Sequence, residues 1–324
     1  MRILIVGGAG YIGSHTARHL SKQGHDVVAL DDLSTGHLAA LGGLPLVHLD
    51  LVTGDLTSFL AAGRFDAVMH FAARCIVPES VEKPSIYWRT NVLGTLRLLD
   101  AMVTSGPRRL VFSSTCATYG IPTEVPIPEG HPQAPINAYG KSKLAVEHVL
   151  GDYARAHGLG AIALRYFNAA GAAADGAYGE DHTQETHLIP LALGALLGGP
   201  PLRVTGTDYP TPDGTCIRDY IHVDDLARAH ALALERIEPG TFNAFNIGTG
   251  AGHSVREVID TIEKITGRAL PRTDAPRRPG DPPTLVARAD TARAQLGFTP
   301  ERSLDDIVAS AWRWHERHPR GYAG

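Results

Sequence analysis

Three glycines spaced three apart, Gly7-Gly-Ala-Gly10-Tyr-Ile-Gly13, constrain this chain more than any other feature. They follow the apolar run Arg2–Val6 and open the helical pattern Ile12–Gln23, the strand–turn–helix setting in which such a turn cradles a phosphate. Glycine lets the backbone approach a pyrophosphate, and the helix amino terminus adds free N–H groups and positive dipole. Tight turns of other kinds also use glycine, so the setting decides. Asp31 ends the second strand pattern about 20 residues on, where a carboxylate accepts from a ribose 2′-hydroxyl. Asp32 follows it instead of a basic residue, which favours NAD over NADP. The expected cradle is therefore Gly7, Gly10, Tyr11, Ile12 and Gly13 with Asp31 and Asp32. Asp50-Leu51, after the third strand, fits two readings equally: a flank for the adenine, or the polar start of a loop.

Apolar runs at Arg2–Val6, Asp26–Leu30, Leu46–Leu49, Ala67–Phe71, Leu110–Ser113 and Ala161–Arg165 read as buried parallel strands. Ile12–Gln23, Asn91–Thr104 and Tyr139–His157 show helical spacing between them. This alternation predicts an α/β fold, a Rossmann-like doubly wound parallel sheet with right-handed crossovers. After Asn168 the chain turns rich in glycine, alanine and proline, at Ala169–Gly179, Gly206–Thr215 and Arg268–Pro283. Strand patterns return at Asp219–Val223 and Phe245–Ile247. The expected division is a cofactor-binding part, 1–168 with about 219–247, and a smaller α/β substrate-binding part, about 169–218 and 248–324. The second would fold over the carboxyl edge of the sheet, where open α/β sheets bind ligands.

A formal net charge of -4 gives no electrostatic case for nucleic acid or an anionic membrane. Apolar stretches are too short to span a bilayer. The first strand starts at Arg2, leaving no room for a signal peptide, and Cys75, Cys116 and Cys216 are scattered, which suits a reducing compartment. These point to a cytoplasmic protein with three small buried thiols. His15 and His19 lie one helical turn apart without a neighbouring glutamate, and His182 and His187 bound a polar loop; no metal is expected.

The chemistry lies in Tyr139-Gly-Lys-Ser-Lys143. A tyrosine and a lysine four apart share a helix face, and Leu110–Thr115 reads as a strand ending in hydroxyls. A free phenol, with a pKa of about 10, is a poor base at neutral pH. A nearby ammonium and a positive nicotinamide favour phenolate. Tyr139 would then take a hydroxyl proton as hydride leaves the same carbon for NAD, Lys143 would hold the nicotinamide ribose, and Thr115 or Ser114 would hold the hydroxyl. A buried tyrosine beside a solvated lysine is the plain alternative for such a pair in isolation. Behind this glycine turn and strand end, the catalytic reading prevails.

With these residues placed, the chain resembles the extended short-chain dehydrogenase/reductase family of nucleotide-sugar enzymes, over essentially its whole length. Gly7–Thr16, Phe112–Gly120, Arg165–Gly171, Glu180–Pro190 and Gly206–Val223 carry the likeness, the last much more specifically than the glycine turn. The resemblance implies that Tyr139 is the base, Lys143 its partner and Thr115 the hydroxyl at the substrate. It puts Phe71, Asn91, Ser113 and Tyr166 beside the cofactor with Tyr139 and Lys143. It sets Asn168, His187 and Leu188 near a uridine diphosphate, and Arg218, Arg278 and Asp281 around the diphosphate and uridine ribose. Two arginines from separate segments suit that task, because guanidinium pairs bidentately with phosphate oxygens. Two departures stand out. Cys75 replaces a lysine found near the cofactor in some members, and Leu285 takes a position where others carry tyrosine or a small residue that admits N-acetyl sugars.

The activity so implied is NAD-dependent 4-epimerisation, interconverting UDP-glucose and UDP-galactose through a transient 4-keto sugar. UDP-pentose and UDP-N-acetylhexosamine substrates stay open, given Leu285. A 4,6-dehydratase would need an Asp-Glu pair after the hydroxyl residue, where this chain has Cys116-Ala117. A catalytically silent NAD-binding regulator would not need Tyr139, Lys143 and Thr115 together. The resemblance also implies a homodimer joined through helices Asn91–Thr104 and Tyr139–His157, whose Leu96, Leu99, Val146 and Val149 would serve packing within one chain equally well.

Overall fold

Strand Arg2–Val6 buries Ile3, Leu4, Ile5 and Val6 completely on both faces, as a parallel strand covered by helices on either side must. Around it the computed structural model, which describes residues 1–278 and 280–323, has one all-parallel seven-stranded sheet. Its order is Leu46–His48, Asp26–Asp31, Arg2–Val6, Ala67–His70, Arg109–Thr115, Gly160–Tyr166, Phe242–Ile247. Strand order reverses between Arg2–Val6 and Ala67–His70, and the crevice at their carboxyl ends is the topological switch point.

Each face has its own apolar core. On one, Ile3 and Ile5 meet Ala17 and Leu20 of helix Tyr11–Lys22 and Leu226, Ala229 and Ala233 of helix Val223–Glu235. On the other, Leu4 and Val6 lie under Leu60, Leu98, Leu99, Val146 and Leu150, from helices Leu56–Gly63, Gly94–Ser105 and Ala138–His157. The last of these starts where the Asn137 side chain accepts from Gly140 N at 2.9 Å and stops at left-handed Gly158, φ 69°.

The segment expected as a helix from Asn91 begins differently. Trp88–Leu93 forms a π-helical turn, and regular α-helix follows from Gly94. The wider turn rotates Asn91 inward, to 2% exposure, as such turns often do near functional sites.

The smaller part has a sheet in the order Gly252–Ser254, Ile217–His222, Thr284–Leu285, with Asn168–Ala170 also paired to Ile217–His222. Leu202–Thr205 pairs with Arg272–Ala275. Helices Leu188–Leu196, Val255–Thr266 and Leu304–Arg317 close a third core of Ile189, Leu193, Ile259, Ile262, Ile307 and Val308. Residues 219–222, expected with the cofactor-binding part, pair in the small sheet, although Ile221 also packs on the first core; helix Val223–Glu235 and strand Phe242–Ile247 join the large sheet. Asp219 supplies the physical reason. Its fully buried carboxylate accepts from Thr249 N at 2.8 Å, Gly250 N at 3.0 Å and Ala287 N at 3.2 Å, and so ties the strand to loops of the smaller part. Among the described residues, no helix is long and apolar enough to cross a membrane.

Candidate active site

The glycine turn stands at the switch point with little spare room. Gly7 has φ 79°, and a Cβ there would sit 2.3 Å from Ala72 N. A Cβ on Gly13 would sit 2.1 Å from Gly7 O. At Gly10 the nearest atom would be 3.4 Å away, so that glycine borders open space at the amino end of helix Tyr11–Lys22. Tyr11 turns its hydroxyl away to donate to Gly171 O at 2.6 Å, and Ile12 packs on the first core. Asp31 accepts from Ala9 N and Leu33 N, both at 2.9 Å, which fixes its carboxylate beside the turn with lone pairs to spare. Burial raises its pKa. Asp32, exposed, closes its own turn through Ser34 N at 2.9 Å. The residues present therefore fit a dinucleotide: a cradle that a Cβ would fill, free helix N–H groups, and a fixed carboxylate one strand away. At Asp50 the side chain accepts from Val52 N at 2.5 Å, and Leu51 is buried in the second core.

Strand Arg109–Thr115 and helix Ala138–His157 bring together the groups expected to do chemistry. Lys143, 3% exposed, donates from Nζ to Ser113 O at 2.7 Å, and its ammonium lies 4.8 Å from the centre of the Phe112 ring. Half-buried Tyr139 has its phenol against the Thr115 hydroxyl, which also accepts from Ala117 N at 3.1 Å. Ser114 points elsewhere, donating to Glu147 Oε1 at 2.5 Å. Of the two hydroxyls weighed from sequence, only Thr115 faces the phenol. The Ser113 hydroxyl is hydrogen-bonded to that of Tyr166, and Phe71 packs against His230 with ring centres 4.6 Å apart and planes tilted by 42°. Asn91 clasps the loop after strand Ala67–His70, accepting from Arg74 N at 2.8 Å and donating to Arg74 O at 3.0 Å and Ser142 Oγ at 3.0 Å.

The protein's own groups hold Tyr139 protonated. Burial pushes its pKa well up, nearby Tyr166 and Cys75 add to that, and the Thr115 hydrogen bond only partly offsets them. Burial also pulls Lys143 down to about 8. The expected help from Lys143 is thus outweighed by burial within the protein, because the ammonium is aimed at the Ser113 carbonyl. The positive nicotinamide is the charge left to favour phenolate. Cys75, expected buried with the other thiols, is exposed, whereas Cys116 and Cys216 are buried.

The residues expected at the nucleotide gather on the smaller part. Arg218 donates to Asp281 Oδ1 at 2.5 Å and to Ile217 O at 2.7 Å. Asp281 N closes a turn on Arg278 O at 3.2 Å, leaving the Arg278 side chain exposed near His187. Asn168 donates to Asp219 O at 3.1 Å. Leu188 begins the helix that follows His187. Leu285, opposite Arg218 in the small sheet, packs with Cys116, the residue after Thr115, so the two halves of the site meet there.

Comparison with known proteins agrees with this geometry. The model of the NAD dependent epimerase/dehydratase family matches residues 3–248. The chain belongs to that family. A UDP-glucose 4-epimerase of Streptomyces lividans is 51% identical over 326 residues, covering 99% of this chain and 98% of its own. The crystal structure of UDP-glucose 4-epimerase from Brucella ovis in complex with NAD superposes with a TM-score of 0.92 at 50% identity, covering 96% of this chain and 97% of that one. The structure of the Bifidobacterium longum enzyme in complex with NAD+ and UDP gives 0.93 at 36% identity, covering 99% and 100%. This family member is thus an NAD-dependent epimerase with a Rossmann-like sheet.

Two features of the site escaped the sequence reading. Glu147, one turn beyond Lys143, is buried against Ser114 and Arg165. The spacing Tyr139, Lys143, Glu147 puts all three on one helix face and was a legible signal. Glu180 is the second. Its carboxylate, 3% exposed, is hydrogen-bonded to His187 Nδ1, with His182 Nδ1 at 3.4 Å. Glu185 completes a group whose polar atoms lie within 4.8 Å of one another. Ion pairs and hydrogen bonds among the four account for these contacts. Of the other pair weighed as ligands, His15 is buried and hydrogen-bonded to Asp224 at 2.8 Å, and His19 lies 3.1 Å from the Gln23 side chain.

Partial desolvation opposes charge on half-exposed His187, yet the charge and hydrogen bond of Glu180, with Glu185 behind it, push its pKa up to about 9. Folding raises it from 6.5, so the pair stabilises fully below about pH 6.5 and that contribution fades as pH rises through about 9. Glu180→Gln is expected to melt below the parent protein in neutral and mildly acid buffer, the two curves converging above about pH 9. Parallel melting curves across that range would refute this.

Proposed function

We propose that the chain interconverts UDP-glucose and UDP-galactose by redox-neutral inversion at the sugar C4. The observation that carries the reading is Lys143 Nζ held 2.7 Å from Ser113 O, one helical turn from Tyr139, at the strand end that also bears the Thr115 hydroxyl. When bound, NAD supplies an acceptor that takes a hydride from C4 and returns it. Tyr139 removes the 4-hydroxyl proton and later gives it back, and Thr115 holds that hydroxyl in line. Lys143 keeps positive charge beneath the phenol and the cofactor ribose. Arg218 and Arg278, with His187 cationic beside them, hold the diphosphate. Inversion needs a firm grip on the nucleotide and a loose one on the sugar, so that the 4-keto sugar can present its other face. Charged groups cluster on the nucleotide side, and Leu285, Cys116 and Phe167 offer an apolar wall near Thr115.

We further infer a cytoplasmic homodimer. Exposed Trp88, Leu93 and Val81 extend an apolar strip beside helix Gly94–Ser105 that a second copy would cover. The free thiols suit a reducing compartment.

The test is to give the purified protein UDP-galactose without added NAD and follow UDP-glucose. Conversion is expected, with NAD released on denaturation. UDP-arabinose and UDP-N-acetylgalactosamine serve as parallel substrates. Conversion of either in place of UDP-galactose would reassign the sugar, and no conversion of any would overturn the reading.

A further inference from the structure

Three consecutive residues at the end of strand Arg109–Thr115 are each held by a residue one turn further along the Tyr139 helix. Thr115 meets Tyr139, the Ser113 carbonyl accepts from Lys143 at 2.7 Å, and Ser114 donates to Glu147 at 2.5 Å. Only the first two contacts involve groups assigned to the chemistry. The third continues into the sheet. Arg165, directly opposite Ser114 on the adjoining strand, donates from Nε to Glu147 Oε1 at 3.0 Å and from Nη2 to Oε2 at 2.6 Å. Its Nη1 donates to Tyr119 Oη at 2.9 Å, and that hydroxyl donates to Asn246 Oδ1 at 2.7 Å, on the edge strand Phe242–Ile247. One carboxylate, 3% exposed, thus ties the helix to three neighbouring strands.

We propose that Glu147, acting through Ser114 and Arg165, is a positioning residue that sets where the Tyr139 phenol stands relative to Thr115. Stability alone does not call for an ion pair there. Burying two charges costs desolvation that their attraction only roughly offsets, and apolar side chains of similar size serve as well or better. What a polar device adds to apolar packing is direction. Dispersion contacts fix spacing, whereas a carboxylate shared between a strand hydroxyl and a guanidinium also fixes the orientation of its donors, and so has one seat. The phenol two turns away inherits that seat. A displacement near 1 Å there would cost on the order of a hundredfold in rate.

This inference rests on Tyr139 being the base. Ser114→Ala removes one bond from Glu147 and leaves the ion pair whole. Glu147→Leu combined with Arg165→Met removes the whole device without stranding a charge. For Ser114→Ala, kcat with UDP-galactose is expected to fall at least about tenfold, and for the double variant about a hundredfold. KM, bound NAD and melting temperature should stay close to the parent. The pH midpoint of kcat, and that of tyrosinate formation in an ultraviolet difference titration against Tyr139→Phe, should both move. A kcat within about twofold of the parent in both variants, or a loss that tracks melting temperature and NAD content, would overturn the proposal. If the parent turns over UDP-galactose while Ser114→Ala and the double variant do so at full rate, only the positioning role fails. If the parent turns over nothing, the function assigned above fails first and takes this with it.

Discussion

Tyr139→Phe is expected to fold, retain NAD and lose at least about a thousandfold in kcat, since a positioned acid–base group contributes roughly 10²–10⁴. The substitution keeps the ring, which meets Tyr87 edge-on at 6.5 Å. It strands no buried partner, because the Thr115 hydroxyl still has Ala117 N at 3.1 Å. What disappears is the oxygen that must take and return a proton. Burial holds that phenol above its ordinary range, so the parent's kcat should climb with pH toward a plateau where the bound cofactor's charge favours phenolate. The residual rate of the phenylalanine variant should be flat over the same range. Conversion of UDP-galactose within about tenfold of the parent would remove Tyr139 from the mechanism.

Lys143→Met should push activity and stability in opposite directions. Turnover is expected to fall at least about a hundredfold, because the ammonium proposed to hold the cofactor ribose beside the phenol is gone. The cofactor-free protein should become more stable at neutral pH. Burial lowers Lys143 from 10.5 to about 8. Between those values the unfolded chain keeps a proton that the native protein has released, so stability rises with pH there, and below about pH 8 the full cost of burying the ammonium is present. At about 1.4 kcal/mol per pH unit that cost is of order 3 kcal/mol. The ammonium's 2.7 Å hydrogen bond to Ser113 O offsets part of it. Methionine fills similar space without charge, and a net gain of about 1–2 kcal/mol at neutral pH is expected from denaturant titration, shrinking as pH rises toward about 10. A methionine variant less stable than the parent at pH 7 would contradict this.

Much of the large sheet was legible because its strands are short apolar runs punctuated by glycine, a pattern that only a doubly covered parallel sheet explains. Arg2–Val6 was read to the residue, and the others within about three. That strand Ile217–His222 pairs in a small sheet was not legible, for a physical reason. Its partners, Asn168–Ala170, Gly252–Ser254 and Thr284–Leu285, are two or three residues long and too short for any period to register. The choice rests instead on where the Asp219 carboxylate finds its donors. The π turn at Trp88–Leu93 likewise leaves no mark in apolar spacing. In the site, the Tyr139–Lys143 spacing was readable from helical geometry alone. The protonation of both depends on burial, which spacing does not encode. Glu147 was within reach of the same reasoning that found Lys143, since a charge on the inward face of an amphipathic helix demands a partner.

The edge strand Phe242–Ile247 completes the large sheet from far along the polypeptide, well after the neighbour it covers, Gly160–Tyr166. During synthesis, at about 5–20 residues per second, the nascent chain must wait several seconds with one edge of Gly160–Tyr166 unpaired. A ribosome stalled inside that interval would release a species with an open, apolar sheet margin, the kind that templates aggregation. Slow translation across the intervening segment should therefore lower soluble yield even though the finished molecule keeps that margin covered.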